Sequence, residues 1–494
     1  MRRYMTGAYR RMVLCLAAAG MATLSGCSLE DLVGTELPPT TTDPEALKTE
    51  EGALAMYRGS LWAFRRGFGG ANTGYVVIAG QMTDELTTGA YVTASGVQAL
   101  RPGELHELDS RTMPEDLLLR SSSVESWYRN INMGRNQAVD AIYYLKNFAP
   151  YQPVDLVGHM YAIRGMSMSF LADAFCSGIP LTDYRSPGGF TYMPGQTTEE
   201  VYQLAIAQYD SALASVPDSA NYRNLALVGK ARALLNLGEF QAAAQAVAQV
   251  PTSFKYKALY AQDYDGSFSN NYVWGIRDWS DPESSFGTIG DREGENGLPF
   301  ASANDPRVKV VAAPRQSTTY PLTTYWVPSA MLPKAAPWNG TSTTTEKNGE
   351  DIVVASGIEA RLIEAEVKAQ ANDPSYLSIL NALRTTCTSA ASCASPAPAG
   401  TGGVAGLPPL VDPGTKDARI KQVFDERGYW LFLTGVRQSD LRRLVRVYGW
   451  PQDEVYPTGF YPFGGQYGTY TNIPIPNSEA KINPKFEGCF DRDA

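Results

Sequence analysis

Residues 197–251 contain three short helical segments in a row, and this pattern constrains the fold of the chain most strongly. Apolar residues recur at helical spacing after Thr198, again after Asp218, and a third time from Phe240 onwards. Each segment is too short to bury a core alone, so its apolar face must pack on neighbouring helices. We therefore expect a layered helical scaffold rather than a fold dominated by sheet.

Small residues stand where these segments would meet. Ala231, Gly238 and Ala243 resemble the small positions of a tetratricopeptide-type array of helical hairpins. A generic antiparallel helix pair is the alternative interpretation. Further helices are predicted at 43–66, 115–147, 153–175, 357–371, 375–386, 418–434 and 439–448, with a loop-rich stretch at 75–114. The predicted fold is mainly α: a tetratricopeptide-like helical-repeat scaffold with a long loop-rich insertion that carries short strands.

The N-terminus resembles a bacterial lipoprotein signal peptide. Four arginines within the first 11 residues precede an uncharged stretch from Met12 to Leu29, which contains the lipobox-like LSGC at 24–27. We predict cleavage of residues 1–26, acylation of Cys27 and an extended lipidated tether at 27–43. An uncleaved anchor helix is the alternative. Ser28, rather than an aspartate, follows the cysteine, which favours sorting to the outer membrane.

Charge and composition argue against several classes of function. The formal charge is −9, from 42 basic and 51 acidic residues, so a nucleic acid is not an expected partner. The two histidines argue against a histidine-rich metal site or a histidine-dependent hydrolase. No nucleophile-elbow, zinc-protease or phosphate-loop motif occurs. We predict no enzyme activity, no cofactor and no metal; a secreted glycoside hydrolase using two of the many carboxylates is an alternative.

The region 254–355 differs from the helical parts because it lacks a 3.6-residue period and is rich in aromatic, polar, Gly and Pro residues. A flat aromatic ring stacks on the apolar face of a sugar while nearby polar groups bind the hydroxyls, and peptides use such anchors too. Packing within the loops or against a partner is the alternative role for these rings. The ligand-binding candidates are Trp274, Trp279, Trp326 and Trp338, with Tyr75, Tyr91 and Tyr325 as weaker ones.

Four cysteines lie in the body of the chain after Cys27, and they allow three pairings. Outside the cytoplasm disulfides are permitted. Cys387 and Cys393 flank a short loop of small residues, so we predict a bridge between them. Two free thiols are the alternative.

The C-terminal part carries three motifs close together: FDERGYWLF at 424–432, GVR at 435–437 and DLRR at 440–443. They resemble the C-terminal signature of the SusD/RagB family of outer-membrane nutrient-binding lipoproteins. Other matches follow the order of that family: the lipobox, GIPL at 178–181, EARLIEAE at 359–366 and IPIP at 473–476. Each motif alone is weak, whereas their collinear order over nearly the whole chain is specific.

The resemblance implies a helical-repeat scaffold that faces a transporter barrel. Relatives of this kind form a lid on a SusC-like, TonB-dependent outer-membrane transporter and capture oligomeric nutrients. The implied ligand is an oligosaccharide or a peptide, and the implied location is the cell outer membrane, lipid-anchored and exposed at the surface. A helical-repeat scaffold that binds only protein partners is the alternative function.

Within the C-terminal signature, Glu426, Arg427, Arg437 and Asp440 are predicted to form a structural ion-pair motif rather than a catalytic site. A helix, a turn and a second helix would bring these acids and bases together and lock the last hairpin of the scaffold. The predicted division of the mature chain is an N-terminal helical scaffold at 44–253, a ligand-presenting region at 254–355 and a C-terminal helical region at 356–494.

Overall fold

The computed structural model describes residues 45–70, 74–88, 104–113, 122–185, 189–260, 286–288, 294–300, 302–303, 305–308, 310–314, 324–328, 351–386, 407–461 and 465–492. The helices are α1 (Glu50–Phe68), α2 (Tyr75–Gln81), α3 (Glu104–Asp109), α4 (Ser122–Phe148), α5 (Asp155–Ala174), α6 (Thr198–Ala214), α7 (Ala220–Asn236), α8 (Phe240–Val247), α9 (Gly357–Gln370), α10 (Tyr376–Thr386), α11 (Lys416–Trp430), α12 (Val436–Arg446), α13 (Gln452–Val455) and α14 (Asn477–Ile482). Helices dominate these residues, so the predicted mainly α fold is confirmed.

The strands are short: β1 (Thr87–Thr88), β2 (Ile179–Pro180), β3 (Asp183–Arg185), β4 (Gly189–Thr191), β5 (Gly195–Gln196), β6 (Lys255–Ala258), β7 (Phe286–Thr288), β8 (Val310–Pro314), β9 (Thr324–Pro328) and β10 (Ile352–Ser356). They form two-stranded antiparallel pairs: β1 with β7, β2 with β5, β3 with β4, β6 with β10 and β8 with β9. The β6–β10 pair joins the two ends of the insertion, with Ala258 opposite Ile352 and Lys255 opposite Ser356. The insertion therefore leaves the helical scaffold and returns to it at one place.

Helix α1 begins later than the sequence predicts. Thr49 is the N-cap, and its hydroxyl accepts a hydrogen bond from the Gly52 amide at 3.0 Å. Acidic residues in the first turn and Arg65 and Arg66 in the last complement the helix dipole. The predicted start at Asp43-Pro44-Glu45 is wrong, because the capping side chain lies at Thr49 and Glu45 precedes the helix in a turn.

The first two helices of the repeat region, α6 and α7, pack against the preceding helix α5. A capping box starts α6, where Thr197 and Glu200 each accept a hydrogen bond from the other's backbone amide. The buried ring of Tyr209 lies between the neighbouring helices: a Cβ on Gly165 of α5 would be 2.7 Å from it, and one on Gly229 of α7 would be 2.6 Å away. The two glycines therefore allow three helices to pack closely around one tyrosine, and Gly238 ends α7 with φ +76°.

The stretch 75–114, predicted to be loop-rich, contains helices α2 and α3, which the sequence does not predict, while residues 89–103 lie outside the described residues. All seven residues of α2 are buried. A helix that is apolar on every side lacks the one-sided period by which sequence analysis recognises a surface helix. Tertiary packing, rather than amphipathic pattern, therefore determines this element.

A disulfide joins Cys176, just after α5, to Cys489 near the C-terminus, across a sequence separation of 313 residues. Backbone bridges on either side of Cys176 join Phe175 to Ile473 and Ser177 to Asp491, so two parts of the C-terminal region meet the end of α5. The sequence analysis did not select this pairing. Cys387 and Cys393 lie outside the described residues.

Candidate functional site

Four charged side chains form a buried cluster between α9, α11 and α12, which we call the arginine layer: Glu366, Arg427, Asp440 and Arg443. Arg427 donates two hydrogen bonds to Asp440, at 2.7 and 2.8 Å. Arg443 donates to Asp440 at 2.8 Å and to both oxygens of Glu366, at 2.7 and 2.8 Å. Burial alone would raise the pKa of Asp440, but the charges of Arg427 and Arg443 hold it below its usual value.

The other two residues of the signature bind partners distant in sequence. Glu426 accepts hydrogen bonds from Arg307, at 2.6 and 3.1 Å, and from Arg384, at 2.5 Å. Arg437 forms a bidentate pair with Asp84, in which both distances are 2.7 Å. The structure thus places all four signature residues in buried ion pairs, and Glu426 and Arg437 connect the last helical hairpin to the insertion and to the loop after α2.

A hairpin with exposed aromatic rings follows α5 in the chain. Strands β3 and β4 pair with Tyr184 opposite Phe190, and Tyr192 follows; we call residues 183–185 and 189–192 the aromatic hairpin. Tyr184 is 41% exposed and Phe190 59% exposed. The ring of Phe190 lies 5.6 Å from that of Tyr192 at an interplanar angle of 12°, and 4.8 Å from that of Tyr184. The hairpin thus presents large rings to solvent instead of burying them.

Two arginines fix the first strand of the aromatic hairpin. Asp183 accepts a hydrogen bond from Arg135 at 2.5 Å and another from Arg164 at 2.7 Å. Arg135 is 1% exposed and also donates to the backbone carbonyls of Thr182 and Leu181. A buried guanidinium with this many acceptors holds one geometry.

The second strand is fixed from the C-terminal segment. Asn483, which is buried, donates to the carbonyl of Met193 at 2.9 Å and to the hydroxyl of Thr182 at 3.2 Å. Lys485 donates to the carbonyl of Tyr192 at 2.9 Å. Both strands are therefore held at their base, and the rings above them are positioned in advance of any ligand.

A cleft of about 530 Å³ lies beside these rings, and we call it the aromatic cleft. Its volume is in the range of small-molecule sites. Residues from α4, the aromatic hairpin and α14 line it, among them Glu125, Arg129, Asn132, Asn136, Gln137, Asp140, Tyr184, Phe190, Tyr192, Glu479 and Ile482. Burial raises the pKa of Glu479, although Asn483 donates to it at 3.1 Å. The cleft therefore combines flat apolar faces with amides and carboxylates.

Comparison with known proteins gives matches in structure only. No family model matches the sequence. No curated protein matches it either. A SusD-like carbohydrate binding protein from Bacteroides vulgatus matches with a TM-score of 0.59 at 14% identity, covering 89% of this chain and 97% of that one. The surface glycan-binding protein A from Bacteroides fluxus matches with a TM-score of 0.60 at 15% identity, covering 90% of this chain and 99% of that one. The surface glycan-binding protein A from Bacteroides thetaiotaomicron matches with a TM-score of 0.59 at 12% identity, covering 90% of this chain and 100% of that one.

The chain has the SusD-like fold. The resemblance found in the collinear motifs is confirmed at the level of the fold. The arginine layer brings three of the collinear motifs together, because residues of 424–432, 440–443 and 359–366 meet in one buried ion-pair cluster.

The structure places the sequence-predicted ligand residues in different settings within this SusD-like fold. Tyr75 is 1% exposed; its ring stacks on Phe170 at 4.2 Å, and its hydroxyl donates to Asp173 at 3.0 Å, so it packs in the core. Trp326 and Tyr325 belong to β9, opposite Ala312 and Ala313 of β8. The remaining ligand candidates, Tyr91, Trp274, Trp279 and Trp338, lie outside the described residues, as does the predicted lipidation site Cys27.

Sequence analysis missed the aromatic hairpin. The signal was present, because Tyr184, Phe190 and Tyr192 flank the run Ser-Pro-Gly-Gly at 186–189, which is typical of a turn between two short strands. The search for ligand residues was directed to the tryptophans of the insertion instead. Clustering of exposed aromatic rings, rather than the presence of tryptophan, identifies this part of the surface.

Proposed function

We propose that this protein is a surface glycan-binding lipoprotein that captures an oligosaccharide without cleaving it. The observation that carries the proposal is the SusD-like fold, shared over about 90% of the chain with structures named as carbohydrate-binding or surface glycan-binding proteins. The exposed rings of the aromatic hairpin and the polar lining of the cleft beside them supply the chemistry that sugars need.

The insertion contributes a second set of rings to this proposal. Trp274, Trp279, Trp326 and Trp338 remain our candidates for ligand contact there. The β6–β10 pair holds the two ends of the insertion to the scaffold.

Membrane attachment and transport complete the proposal and rest on the sequence. The lipobox at 24–27 supports acylation of Cys27 and a position at the outer-membrane surface. Among the described residues, no helix is long and apolar enough to span a bilayer. We propose delivery of the captured glycan to a SusC-like, TonB-dependent transporter.

The test combines two measurements on the full-length protein. Incubation with oligosaccharide and peptide libraries should give retention of a glycan with no released product; release of shorter sugars would instead identify a hydrolase. Purification from native membranes should yield a barrel protein bound to the chain. Recovery of soluble protein partners without a barrel or a glycan would favour the interaction-scaffold alternative.

A further inference from the structure

We propose that the aromatic cleft is itself a glycan site and that it selects neutral oligosaccharides. This inference deepens the proposed function, on which it rests, by naming a site and a substrate class. It is independent of the tryptophans in the insertion.

The rings suit a sugar chain because of their mutual orientation. Phe190 and Tyr192 are within 12° of parallel with their ring centroids 5.6 Å apart, and Tyr184 lies 4.8 Å from Phe190, so the three rings form one continuous apolar surface. An extended ligand with consecutive flat apolar faces matches such a surface, as an oligosaccharide does. An apolar peptide side chain is held better by a concave apolar pocket, whereas in this cleft amides and carboxylates stand beside exposed flat rings.

The anchoring of the hairpin strengthens this assignment. The pairs from Arg135 and Arg164 to Asp183 and the contacts of Asn483 lie beneath the rings and fix the strands that carry them. A ligand that binds to positioned rings avoids the entropic cost of ordering them. The buried polar groups thus maintain an exposed apolar surface that would otherwise have no reason to stay open to solvent.

The charges lining the cleft determine the class of sugar. Three carboxylates line it, from Glu125, Asp140 and Glu479, against two arginines. One of these arginines, Arg135, is 1% exposed and already bound to Asp183 and backbone carbonyls. A uronic acid would place a further negative charge beside these carboxylates. A neutral sugar adds no charge, and its hydroxyls can donate hydrogen bonds to the carboxylates.

The test measures binding of the full-length protein by titration calorimetry. The probes are neutral gluco-, manno- and xylo-oligosaccharides, oligogalacturonate as the anionic sugar, and a peptide library. The double variant Y184A/F190A removes the two exposed rings. Y151A is the matched control, since Tyr151 is 92% exposed and does not line the cleft.

We expect the wild type and Y151A to bind a neutral oligosaccharide and the double variant to bind it at least about tenfold more weakly. We also expect E125Q to narrow the preference for neutral over anionic sugar roughly two- to fivefold at low salt.

Equal glycan binding by wild type and double variant would overturn this inference and leave the proposed function standing. Wild-type binding of oligogalacturonate in preference to neutral sugars would overturn the substrate class, and a peptide ligand lost in the double variant would overturn the glycan assignment. Absence of binding to any glycan would overturn the proposed function as well.

Discussion

The arginine layer and the aromatic hairpin use the same interaction for opposite purposes. In the arginine layer, paired charges are sealed inside the protein together with Phe424, over which the guanidinium of Arg443 lies at 5.0 Å. In the aromatic hairpin, the pair between Arg135 and Asp183 lies at the base while the rings face solvent. A buried ion pair can thus complete a core or hold a binding surface open, and its surroundings decide which.

Removing the shared acceptor of the arginine layer should have the largest effect on stability. Asp440→Asn leaves the buried Arg427 and Arg443 without their common counter-charge, so we expect the free energy of unfolding to fall by about 3–5 kcal/mol. Urea denaturation followed by circular dichroism measures this. Asp425→Asn, which removes an exposed pair with Lys421, is the control and should cost at most about 0.5 kcal/mol. Equal losses in the two variants would contradict the distinction between buried and exposed pairs.

The buried carboxyl of Glu85 should make the free energy of unfolding depend on pH. Burial raises the pKa of Glu85 to about 8; one oxygen accepts from the Leu433 amide at 3.0 Å, and the other has no partner among the described residues. The folded state keeps the Glu85 carboxyl protonated up to about pH 8, whereas in the unfolded state this carboxyl loses its proton near pH 4.5. The stability that this difference contributes is therefore fully present below pH 4.5 and is lost as the pH rises through 8. At about 1.4 kcal/mol per pKa unit, we expect a loss of about 3–4 kcal/mol between pH 5 and pH 8.

Glu85→Gln should remove that pH dependence, because glutamine keeps an acceptor for Leu433 and does not titrate. Urea midpoints of the variant and the wild type at pH 5 and pH 8 measure the difference. Glu51→Gln, at an exposed position in α1, is the control and should keep the slope of the wild type. An unchanged slope in Glu85→Gln would show that another group is responsible.

Breaking the base of the aromatic hairpin should affect both stability and binding. Asp183→Asn removes the carboxylate from Arg135 and Arg164, and we expect a loss of about 1–3 kcal/mol in unfolding free energy. The loss is smaller than in the arginine layer because Arg135 keeps its backbone acceptors and Asp183 is partly exposed. Affinity for a neutral oligosaccharide should fall as well. If Asp183→Asn bound the oligosaccharide as tightly as the wild type does, the ion pairs of Asp183 would not be what positions the rings.

Removing the rings themselves should have the smallest effect on stability. Tyr184 and Phe190 are largely exposed, so Y184A/F190A should change the unfolding free energy by less than about 1 kcal/mol in total. Thermal unfolding beside the wild type checks this. A loss of several kcal/mol would mean that the rings belong to the core and are not held there for a ligand.

The accuracy of the sequence analysis follows the kind of interaction involved. Helix α6, with its Thr197 and Glu200 box, begins at Thr198 as predicted, whereas α11 begins two residues before and ends four residues before its predicted bounds. Helix α2 was missed because a helix that is buried on all sides lacks a one-sided apolar period. The start of α1 was misplaced because Asp43 and Thr49 are both chemically suited to cap a helix.

Long-range partners were beyond what sequence patterns can give. The signature motifs indicated that Glu426 and Arg437 form ion pairs, but their partners Arg307 and Asp84 come from distant parts of the chain. The pairing of Cys176 with Cys489 likewise depends on the return of the C-terminus to the end of α5. Local spacing favoured nearby groups, whereas the folded chain brings together residues hundreds of positions apart.

A crystal structure of the full-length protein with a neutral oligosaccharide tests the central claim most directly. We expect sugar rings stacked on Phe190 and Tyr184 in the aromatic cleft, with hydroxyls hydrogen-bonded to side chains of α4. An empty cleft at saturating oligosaccharide, or a ligand chain bound only elsewhere on the molecule, would contradict it.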